Sequence, residues 1–377
     1  MCDAGHGNRA SAGPRRSYSR PGRLVRLGRV RLTTPELDDH LDAVLRTGVP
    51  GVAVVVDGPD FSRVRAAGVS DVESRAPMTV KHRFRIASVT KLFVATVVLQ
   101  LVDEGALALD GEVDLIDGGV TVRQLLNHTS GLPHGVEINE LLEPYRKNLA
   151  HRPEWTPRDM LGLIESRPRL FAPGKGWFYT GSNYVVLGLL VEEMTGATLR
   201  EELRQRIVDR LELADTELPE LSSTPDGLSR GYLPADNPVL PGSGPGPLDV
   251  SEIEPFGWGG NGMVSSARDV ARFLRALLGG ELLPPAMSAE MLSTVPSDWA
   301  ESDRYGLGIE EVTALWGIEH STCGSAWGHF GFAIGYSTIA LSSRNGDRQV
   351  IVMFNTHPLT EETWAVLGRL VWACYCD

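Results

Sequence analysis

Apolar residues form several long runs along the chain, and the most continuous of them lies within residues 84–104. From Leu92 to Val102 almost every position is apolar, which is typical of a helix buried on all sides at the centre of a domain. If a helix begins near Ser88, the Ser88 hydroxyl lies beside the Lys91 amine, because residues three apart are neighbours on a helix surface. The pattern therefore predicts a central buried helix with a lysine near its start.

Both ends of the chain predict β-strands with turn signals between them. After an amphipathic helix that begins at Thr34 and ends near Thr47, two strands of a hairpin are predicted over residues 50–56 and 62–68. Near the other end, strands are predicted over residues 305–312, 325–330, 335–342 and 349–356, followed by a helix over 361–374. The last two strands are joined through Asn345-Gly346, a dipeptide typical of hairpins.

The middle of the chain predicts helices and loops instead. Helices are expected over residues 121–127, 156–166, 182–195, 199–211, 266–278 and 287–294, and residues 218–255 are rich in Pro, Gly and Ser. The expected fold is α+β, with an antiparallel sheet built from both ends of the chain, flanked by helices, around a helical insertion. The predicted division is an α/β subdomain from residues 33–112 and 262–377, a helical subdomain with the long loop from 113–261, and a flexible basic tail over 1–32.

Composition excludes several function classes. The formal net charge of −12 argues against a nucleic-acid or anionic membrane partner, and no apolar run is long enough to span a bilayer. The arginine-rich N-terminal segment lacks the apolar stretch that a secretory signal peptide contains, so a cytoplasmic protein is expected. The four cysteines lack metal-ligand spacing, and free thiols in a reducing compartment are the expectation: Cys2, Cys323, Cys374 and Cys376.

Lys91 is the chemically informative residue of the central helix. The chain has only four lysines, and a buried ammonium without a partner tends to lose its proton. A neutral amine beside the Ser88 hydroxyl is a base beside a nucleophile. This stretch alone leaves two interpretations open: a catalytic pair, or a serine at a helix start followed by a lysine that extends to solvent.

Two further segments look suitable for a site. Tyr179 precedes a predicted helix in Phe178-Tyr179-Thr180-Gly181-Ser182-Asn183-Tyr184, and His329 lies in Trp327-Gly328-His329-Phe330-Gly331-Phe332 at a strand edge. With these blocks the chain resembles the serine β-lactamase-like enzymes, a family of class C β-lactamases, D-alanyl-D-alanine carboxypeptidases, D-aminopeptidases and carboxylesterases. The resemblance covers roughly residues 35–375 and includes, in order, the following blocks: Ala87-Ser88-Val89-Thr90-Lys91, Leu125 to Leu132, Pro173-Gly174 with Tyr179 to Tyr184, Gly259 to Ser266, and His329-Phe330-Gly331.

The resemblance implies a fold like that of β-lactamases and penicillin-binding transpeptidases, and it implies residue roles. Ser88 matches the nucleophile, Lys91 its base, and Tyr179 the tyrosine of a Tyr-x-Asn element that relays protons to and from the leaving group and acceptor. His329 stands where β-lactamases have the lysine of Lys-Thr-Gly. The backbone N–H groups of Ser88 and Phe332 match the oxyanion hole. The other candidate substrate-binding residues are Gly331, Gly181, Asn183, Trp258 and Trp327.

The departures from the family pattern point away from β-lactams. Gly181 takes the place of the asparagine in Tyr-x-Asn, and His329 is not a permanent cation for a substrate carboxylate. Aromatic residues near these motifs suggest a flat, apolar site: Trp177, Trp258, Trp327, Phe330 and Phe332. An ester or amide with a bulky acyl or leaving group is the expected substrate.

The sequence thus predicts a serine acyl-enzyme hydrolase or acyltransferase that uses no metal and no organic cofactor. Its partners would be a small ester or amide and an acceptor, water or an amine or alcohol, as in an intracellular esterase or a transacylase of specialised metabolism. Two alternatives remain: a D-amino-acid peptidase, DD-carboxypeptidase or β-lactamase, and a catalytically inactive binding module on the same fold.

Overall fold

The structure is a computed structural model. It describes residues 33–135, 138–148, 155–220, 223–235, 237, 240, 246–253, 258–298, 304–316, 318–319 and 323–376. The predicted basic tail over residues 1–32 lies outside these ranges, as does Cys2. Among the helices described, none combines the length and the apolar character needed to cross a bilayer.

The predicted helices and strands occur in the predicted order, and the structure adds a helix over residues 138–147 and several two-residue strands that the sequence did not predict. The helices of the described ranges are α1 (Thr34–Arg46), α2 (Thr90–Asp103), α3 (Val122–Leu126), α4 (Ile138–Lys147), α5 (Pro157–Glu165), α6 (Ser182–Thr195), α7 (Leu199–Leu203), α8 (Ala267–Leu278), α9 (Pro285–Met291) and α10 (Glu361–Tyr375). The strands are β1 (Gly51–Gly58), β2 (Phe61–Gly68), β3 (Phe84–Arg85), β4 (Tyr232–Leu233), β5 (Leu248–Asp249), β6 (Val264–Ser265), β7 (Val295–Pro296), β8 (Arg304–Tyr305), β9 (Glu310–Val312), β10 (Ala314–Leu315), β11 (Ile318–Glu319), β12 (Ala326–Ala333), β13 (Tyr336–Ser342) and β14 (Gln349–Phe354).

Eight strands form one sheet in the order β2-β1-β14-β13-β12-β9-β8-β7, and all neighbours in it are antiparallel. The first two strands come from the start of the chain and the others from its end. The prediction of an α+β fold with one antiparallel sheet from both ends is therefore confirmed. The division into two subdomains stays a prediction.

The sheet separates two apolar cores because successive side chains of a strand point to opposite faces. In β1, Val52, Val54 and Val56 pack with α1 and α10 on one face. Ala53 and Val55 face the larger core, which contains the apolar residues of α2, α6 and α8. The central helix α2 is buried from Thr90 to Leu101, as its continuous apolar pattern predicts.

Two local predictions are corrected. The strand predicted over residues 305–312 is interrupted at Gly308, whose φ of +82° is outside the range of a strand. The helix predicted over 199–211 changes at Arg204 into a π-helical turn that ends at Val208.

The expectation of free thiols is wrong for two cysteines, because Cys323 and Cys376 form a disulfide with a Cα–Cα distance of 5.3 Å. The fold brings the end of α10 beside the segment before β12, a proximity that local sequence does not reveal. Cys374 is a buried cysteine that takes no part in this disulfide.

Candidate active site

The nucleophile candidate lies on a tight turn at the start of α2. Residues Ala87–Val89 form a single 3₁₀ turn that continues directly into the helix. Ala87 has a φ of +47°, which is rare for a residue with a side chain, and it is fully buried together with Val89. Ser88 between them is only partly buried. The turn therefore presents the Ser88 hydroxyl at the surface of an otherwise apolar segment.

Lys91 is enclosed beside Ser88. Its Nζ lies 3.0 Å from Ser88 Oγ and donates a hydrogen bond of 2.7 Å to the Gly260 carbonyl oxygen. The side chain is nearly inaccessible, and this burial lowers the pKa of Lys91 to about 7, although the negative charge of Glu310 acts in the opposite direction. Near neutral pH, part of the population has an uncharged amine in contact with the serine hydroxyl.

Tyr179 joins this pair from the segment before α6. The Lys91 Nζ lies 4.8 Å from the centre of the Tyr179 ring and 5.4 Å from that of Tyr184. The phenol of Tyr184 instead donates to the Leu126 carbonyl oxygen at 3.1 Å and is fully buried. The structure thus brings Ser88, Lys91 and Tyr179 together, and of the two tyrosines only Tyr179 is partly exposed.

His329 lies in the same cluster, but its side chain is buried. Its ring centre is 6.1 Å from that of Tyr179, and the side chain is almost completely buried. Nδ1 lies 2.6 Å from the Phe330 carbonyl oxygen, and Nε2 lies 2.9 Å from the Tyr305 hydroxyl. Burial, together with the charge of Lys91, lowers the pKa of His329 to about 3. The imidazole is therefore neutral at physiological pH.

Strand β12 passes directly beside the Ser88 turn. A Cβ added at Gly331 would lie 2.1 Å from the Ile86 carbonyl oxygen, so only glycine permits this approach. The Phe330 N–H points to the Glu310 carboxylate, away from β13, at 3.4 Å. Because N–H groups two residues apart point to the same strand edge, the Phe332 N–H points to the side of β12 opposite β13. The Ser88 turn lies against this part of β12.

The aromatic residues predicted around the site are distributed differently. Phe330 and Phe332 lie on the opposite face of the sheet: the Phe332 ring stacks on His357 at 5.2 Å and meets Trp364 of α10 at 5.3 Å. The prediction that these two rings line the site is wrong. Successive side chains of β12 point to opposite faces of the sheet, so His329 and Gly331 face the site and the two phenylalanines do not.

The three tryptophans near the motifs also have separate surroundings. Trp258 packs against α6, where a Cβ at Gly188 would lie 2.7 Å from its ring. Trp327 is buried in the larger core, with the Arg344 guanidinium 5.5 Å from its ring centre. Trp177 is the one that lies among the site aromatics, with ring centres 6.4 Å from Tyr179 and 5.9 Å from Tyr305.

Gly181 and Asn183 differ in what they offer to a ligand. A Cβ at Gly181 would have no heavy atom within 4 Å, so this residue borders open space. Asn183 is fully buried, and its amide is used twice: Nδ2 donates to His128 Nδ1 at 2.8 Å, and Oδ1 accepts from Ser130 Oγ at 2.6 Å. Asn183 therefore fixes the His128–Ser130 turn, whereas Gly181 leaves room beside Tyr179.

Sequence reasoning missed two buried polar residues of the cluster, Tyr305 and Glu310. Both are fully buried, and Glu310 Oε1 lies 3.2 Å from His329 Nδ1. The sequence did contain a signal for Glu310: two adjacent glutamates, Glu310 and Glu311, stand in a predicted strand, where neighbouring side chains point to opposite faces, so one of them faces inward, and a buried acid requires a partner. Tyr305 gave no such signal, since a tyrosine fits a buried strand without any functional role.

An open cavity of about 520 Å³ lies at the other end of α2. Its lining includes the charged and polar residues Gln100, Arg206, Arg210 and Glu281 and a short apolar segment that contains Leu283. None of the predicted site residues borders it, so it is separate from the Ser88 cluster.

Comparisons with known proteins agree with this geometry. Residues 36–369 match the profile of the family described as Beta-lactamase. The chain is 33% identical over 312 residues to the esterase EstB of Burkholderia gladioli, an alignment that covers 75% of this chain and 77% of EstB.

Two solved structures are similar to this chain over nearly their whole length. A D-stereospecific amidohydrolase from Streptomyces sp. is 28% identical with a TM-score of 0.74, covering 88% of this chain and 97% of the other. A D-amino acid amidase from Ochrobactrum anthropi SV3, complexed with L-phenylalanine, is 26% identical with a TM-score of 0.78, covering 90% and 98%.

Proposed function

The chain belongs to the Beta-lactamase family and is a serine hydrolase, and on that premise we propose that it forms an acyl-enzyme on Ser88 from a small ester or amide. The observation that carries the proposal is the 3.0 Å contact between Ser88 Oγ and a buried Lys91 amine whose pKa is about 7. A base is most effective when its pKa lies near the working pH, because it is then both available and able to take a proton.

Each step has a candidate residue in the cluster. Ser88 Oγ attacks the carbonyl carbon while its proton passes to the Lys91 amine. The N–H groups of Ser88 and Phe332 donate to the oxyanion that forms, and two such donors typically lower the barrier by several kcal/mol. The bond between the carbonyl carbon and the leaving group then breaks, Tyr179 gives its phenolic proton to the leaving group, and the proton held by Lys91 restores the phenol. The acyl group then passes from Ser88 to an acceptor, whose proton returns through the same residues to Ser88 Oγ.

The names of similar proteins support esters and amides as the substrate class. The relative from Burkholderia gladioli is an esterase, and the two structural neighbours are amide hydrolases. The open space beside Gly181 favours a substrate with a bulky acyl group.

The second part of the proposal concerns the molecule that accepts the acyl group from Ser88. Water would make the protein an esterase or amidase, and an amine or alcohol would make it a transacylase of specialised metabolism. An activated ester incubated with and without added amines, followed by mass spectrometry of the products, separates these two. Exclusive formation of the free acid removes the transacylase.

Active-serine labelling tests the nucleophile. A fluorophosphonate probe is expected to label the wild type once per chain, as measured by intact mass, and the label is expected to vanish in Ser88→Ala. Ser74→Ala is the matched control, because Ser74 is an exposed serine in the segment between β2 and β3. Undiminished labelling of Ser88→Ala rules out the proposed nucleophile.

A further inference from the structure

His128 has an unusual backbone conformation beside the Ser88 cluster. Its φ is +64°, a left-handed value that is unfavourable for a residue with a side chain, and the residue is fully buried. The centre of its imidazole ring lies 4.5 Å from that of Tyr179 and 4.9 Å from that of Tyr305. A buried polar residue that keeps such a conformation next to catalytic groups is a candidate for a functional role.

Two hydrogen bonds connect His128 to the backbone on either side of Tyr179. The Phe178 N–H donates to the His128 carbonyl oxygen at 3.0 Å, and the Thr180 N–H donates to His128 Nδ1 at 3.3 Å. Tyr179 is the residue between these two donors, and its ring packs against the imidazole. His128 therefore holds the main chain of Tyr179 at two points and contacts its side chain as well.

The partners of the imidazole fix the position of its hydrogen. The Thr180 N–H points at Nδ1, so Nδ1 carries no hydrogen and acts as an acceptor. Asn183 agrees with this assignment, because its Oδ1 accepts from Ser130 Oγ at 2.6 Å and its Nδ2 donates to Nδ1 at 2.8 Å. The ring hydrogen is then on Nε2, which has no hydrogen-bond partner among the described residues. Burial lowers the pKa of His128 well below its ordinary value, so the ring stays neutral.

We propose that His128 is a positioning residue that places the Tyr179 phenol for proton transfer to the leaving group. This inference rests on the proposed acyl-enzyme function, in which Tyr179 is the proton donor. A proton passes efficiently only between groups within hydrogen-bond distance, and a displacement of about 1 Å can lower a rate by about 100-fold. His128 takes no proton itself, because its ring is neutral and Nδ1 already has two donors.

The test compares two esters with the same phenylacetyl group. p-Nitrophenyl phenylacetate releases a stable phenolate that leaves without a proton, whereas the ethoxide of ethyl phenylacetate must be protonated as it leaves. Nitrophenolate is measured by absorbance, and phenylacetic acid from the ethyl ester by liquid chromatography. The compared quantity is kcat/KM, because it reports formation of the acyl-enzyme and not its later breakdown. A displaced Tyr179 should therefore slow the ethyl ester and spare the nitrophenyl ester.

His128→Phe keeps a ring of similar size and removes the acceptor at Nδ1. The Thr180 N–H and Asn183 Nδ2 then lack a buried acceptor, so the segment that carries Tyr179 must move. We expect kcat/KM for the ethyl ester to fall by about tenfold or more, with less than about a threefold change for the nitrophenyl ester. Tyr179→Phe should show the same pattern more strongly, with a loss of about 100-fold or more for the ethyl ester.

The double variant shows whether His128 acts through Tyr179. In the Tyr179→Phe background, His128→Phe should cause no further loss with the ethyl ester, because both changes remove the same proton transfer. The matched control is His40→Phe. His40 lies on α1, which packs on the opposite face of the sheet, so both esters should react as they do with the wild type.

Two other substitutions of His128 complete the series. Glycine adopts a φ of +64° without strain, so His128→Gly replaces His128→Phe if that variant does not fold, and it should show the same pattern of loss. Asparagine also tolerates this backbone, and its Oδ1 is as many bonds from Cα as Nδ1 is. His128→Asn should therefore keep kcat/KM for the ethyl ester within about threefold of the wild type. An equal loss in His128→Asn and His128→Phe counts against the role of Nδ1.

The ¹⁵N spectrum of the wild-type His128 ring gives a readout independent of rates. The expected spectrum is that of a neutral ring with its hydrogen on Nε2 near pH 7. A hydrogen on Nδ1 overturns the inference, because Nδ1 could then not accept from the Thr180 N–H.

The outcomes separate this inference from the proposed function. An equal loss with both esters in His128→Phe, or a further loss in the Tyr179→Phe background, overturns the inference and leaves the acyl-enzyme proposal standing. A wild type that cleaves only the nitrophenyl ester also counts against the inference, because no proton donor then assists the leaving group. No cleavage of either ester together with no fluorophosphonate labelling of Ser88 counts against the proposed function itself.

Discussion

Gly331 lies so close to Ile86 that a Cβ at Gly331 would stand 2.1 Å from the Ile86 carbonyl oxygen and 3.3 Å from Val89 Cγ2. Strand β12 and the Ser88 turn are therefore in direct backbone contact. The proposed oxyanion hole has one N–H on each side of this contact, from Ser88 and Phe332. Its width is set by the missing side chain of Gly331.

Gly331→Ala is expected to damage catalysis more than folding. The added methyl must push β12 away from the turn, which separates the two N–H donors, and loss of one oxyanion donor typically lowers kcat by about 100-fold or more. Rates with an activated ester and thermal unfolding curves measure both effects. Gly162→Ala on α5 is the control: its Cβ meets nothing within 4 Å, so activity should be unchanged. Wild-type kcat in Gly331→Ala would contradict the assignment of the hole.

The pH dependence of acylation follows from Lys91. Burial lowers its pKa to about 7, and only the neutral amine accepts the Ser88 proton. Acylation should therefore be constant well above pH 7 and fall about tenfold per pH unit below it. Stopped-flow measurement of the acylation step gives this profile directly. Lys91→Met should lower the acylation rate by about 100-fold or more, and the remaining rate should no longer show this pH dependence. A wild-type profile without an inflection near 7 would argue against Lys91 as the base.

The same lysine should make folding stability pH dependent. The unfolded chain holds the Lys91 proton up to its ordinary pKa of about 10.4, whereas the folded state loses it near 7. Between these values the unfolded state binds more protons, so the free energy of unfolding rises with pH, by at most about 1.4 kcal/mol per unit from this group. Below pH 7 both states hold the proton and this contribution is constant.

Urea unfolding of the wild type and of Lys91→Met at several pH values tests this stability prediction. Methionine has nearly the same length without the charge, so the variant should be the more stable protein, with the largest advantage at pH 7 and below. The difference in unfolding free energy should shrink as the pH rises above 7. A difference that does not depend on pH would show that burial of Lys91 has no cost in the folded protein.

Patterns that involve neighbouring residues predicted much of the structure. The bounds of α6 match the predicted 182–195, and the Asn345-Gly346 turn does connect two paired strands, β13 and β14. The Ser88 and Lys91 contact follows from helical spacing, as predicted. These features depend on periodicity or on turn chemistry, which a single sequence contains.

Features that depend on the approach of distant segments could not be predicted in this way. The Gly260 carbonyl reaches Lys91 from a residue 169 positions away, and the Tyr305 hydroxyl of β8 reaches His329 of β12 across the strand between them, β9. Which face of the sheet Phe330 and Phe332 occupy depends on how β12 is placed relative to the site, and the local pattern does not determine this placement. The Cys323–Cys376 pairing likewise depends on where α10 ends in space.

The Cys323–Cys376 disulfide should stabilise the fold measurably. It joins residues 53 positions apart, and a cross-link over a loop of this size is expected to contribute about 2–4 kcal/mol by restricting the unfolded chain. Cys376→Ser should lose this amount in chemical denaturation, and a reductant should abolish the difference between the variant and the wild type. Cys374→Ser is the control, because Cys374 takes no part in the disulfide, so this variant should lose stability with the reductant as the wild type does. Equal stability of oxidised and reduced wild type would contradict the prediction.

Gly181 should determine which acyl groups fit. Its φ of −64° is accessible to any residue, and an added Cβ would enter open space, so Gly181→Asn should fold with wild-type stability. The amide would then occupy part of the volume beside Tyr179. We expect kcat/KM for a bulky phenylacetyl ester to fall by about tenfold, as a loss of roughly 1.4 kcal/mol implies, while an acetyl ester with the same leaving group is affected much less. Gly181→Ala should show a smaller change in the same direction. If both esters lose activity equally, Gly181 acts on the catalytic residues and not on acyl-group size.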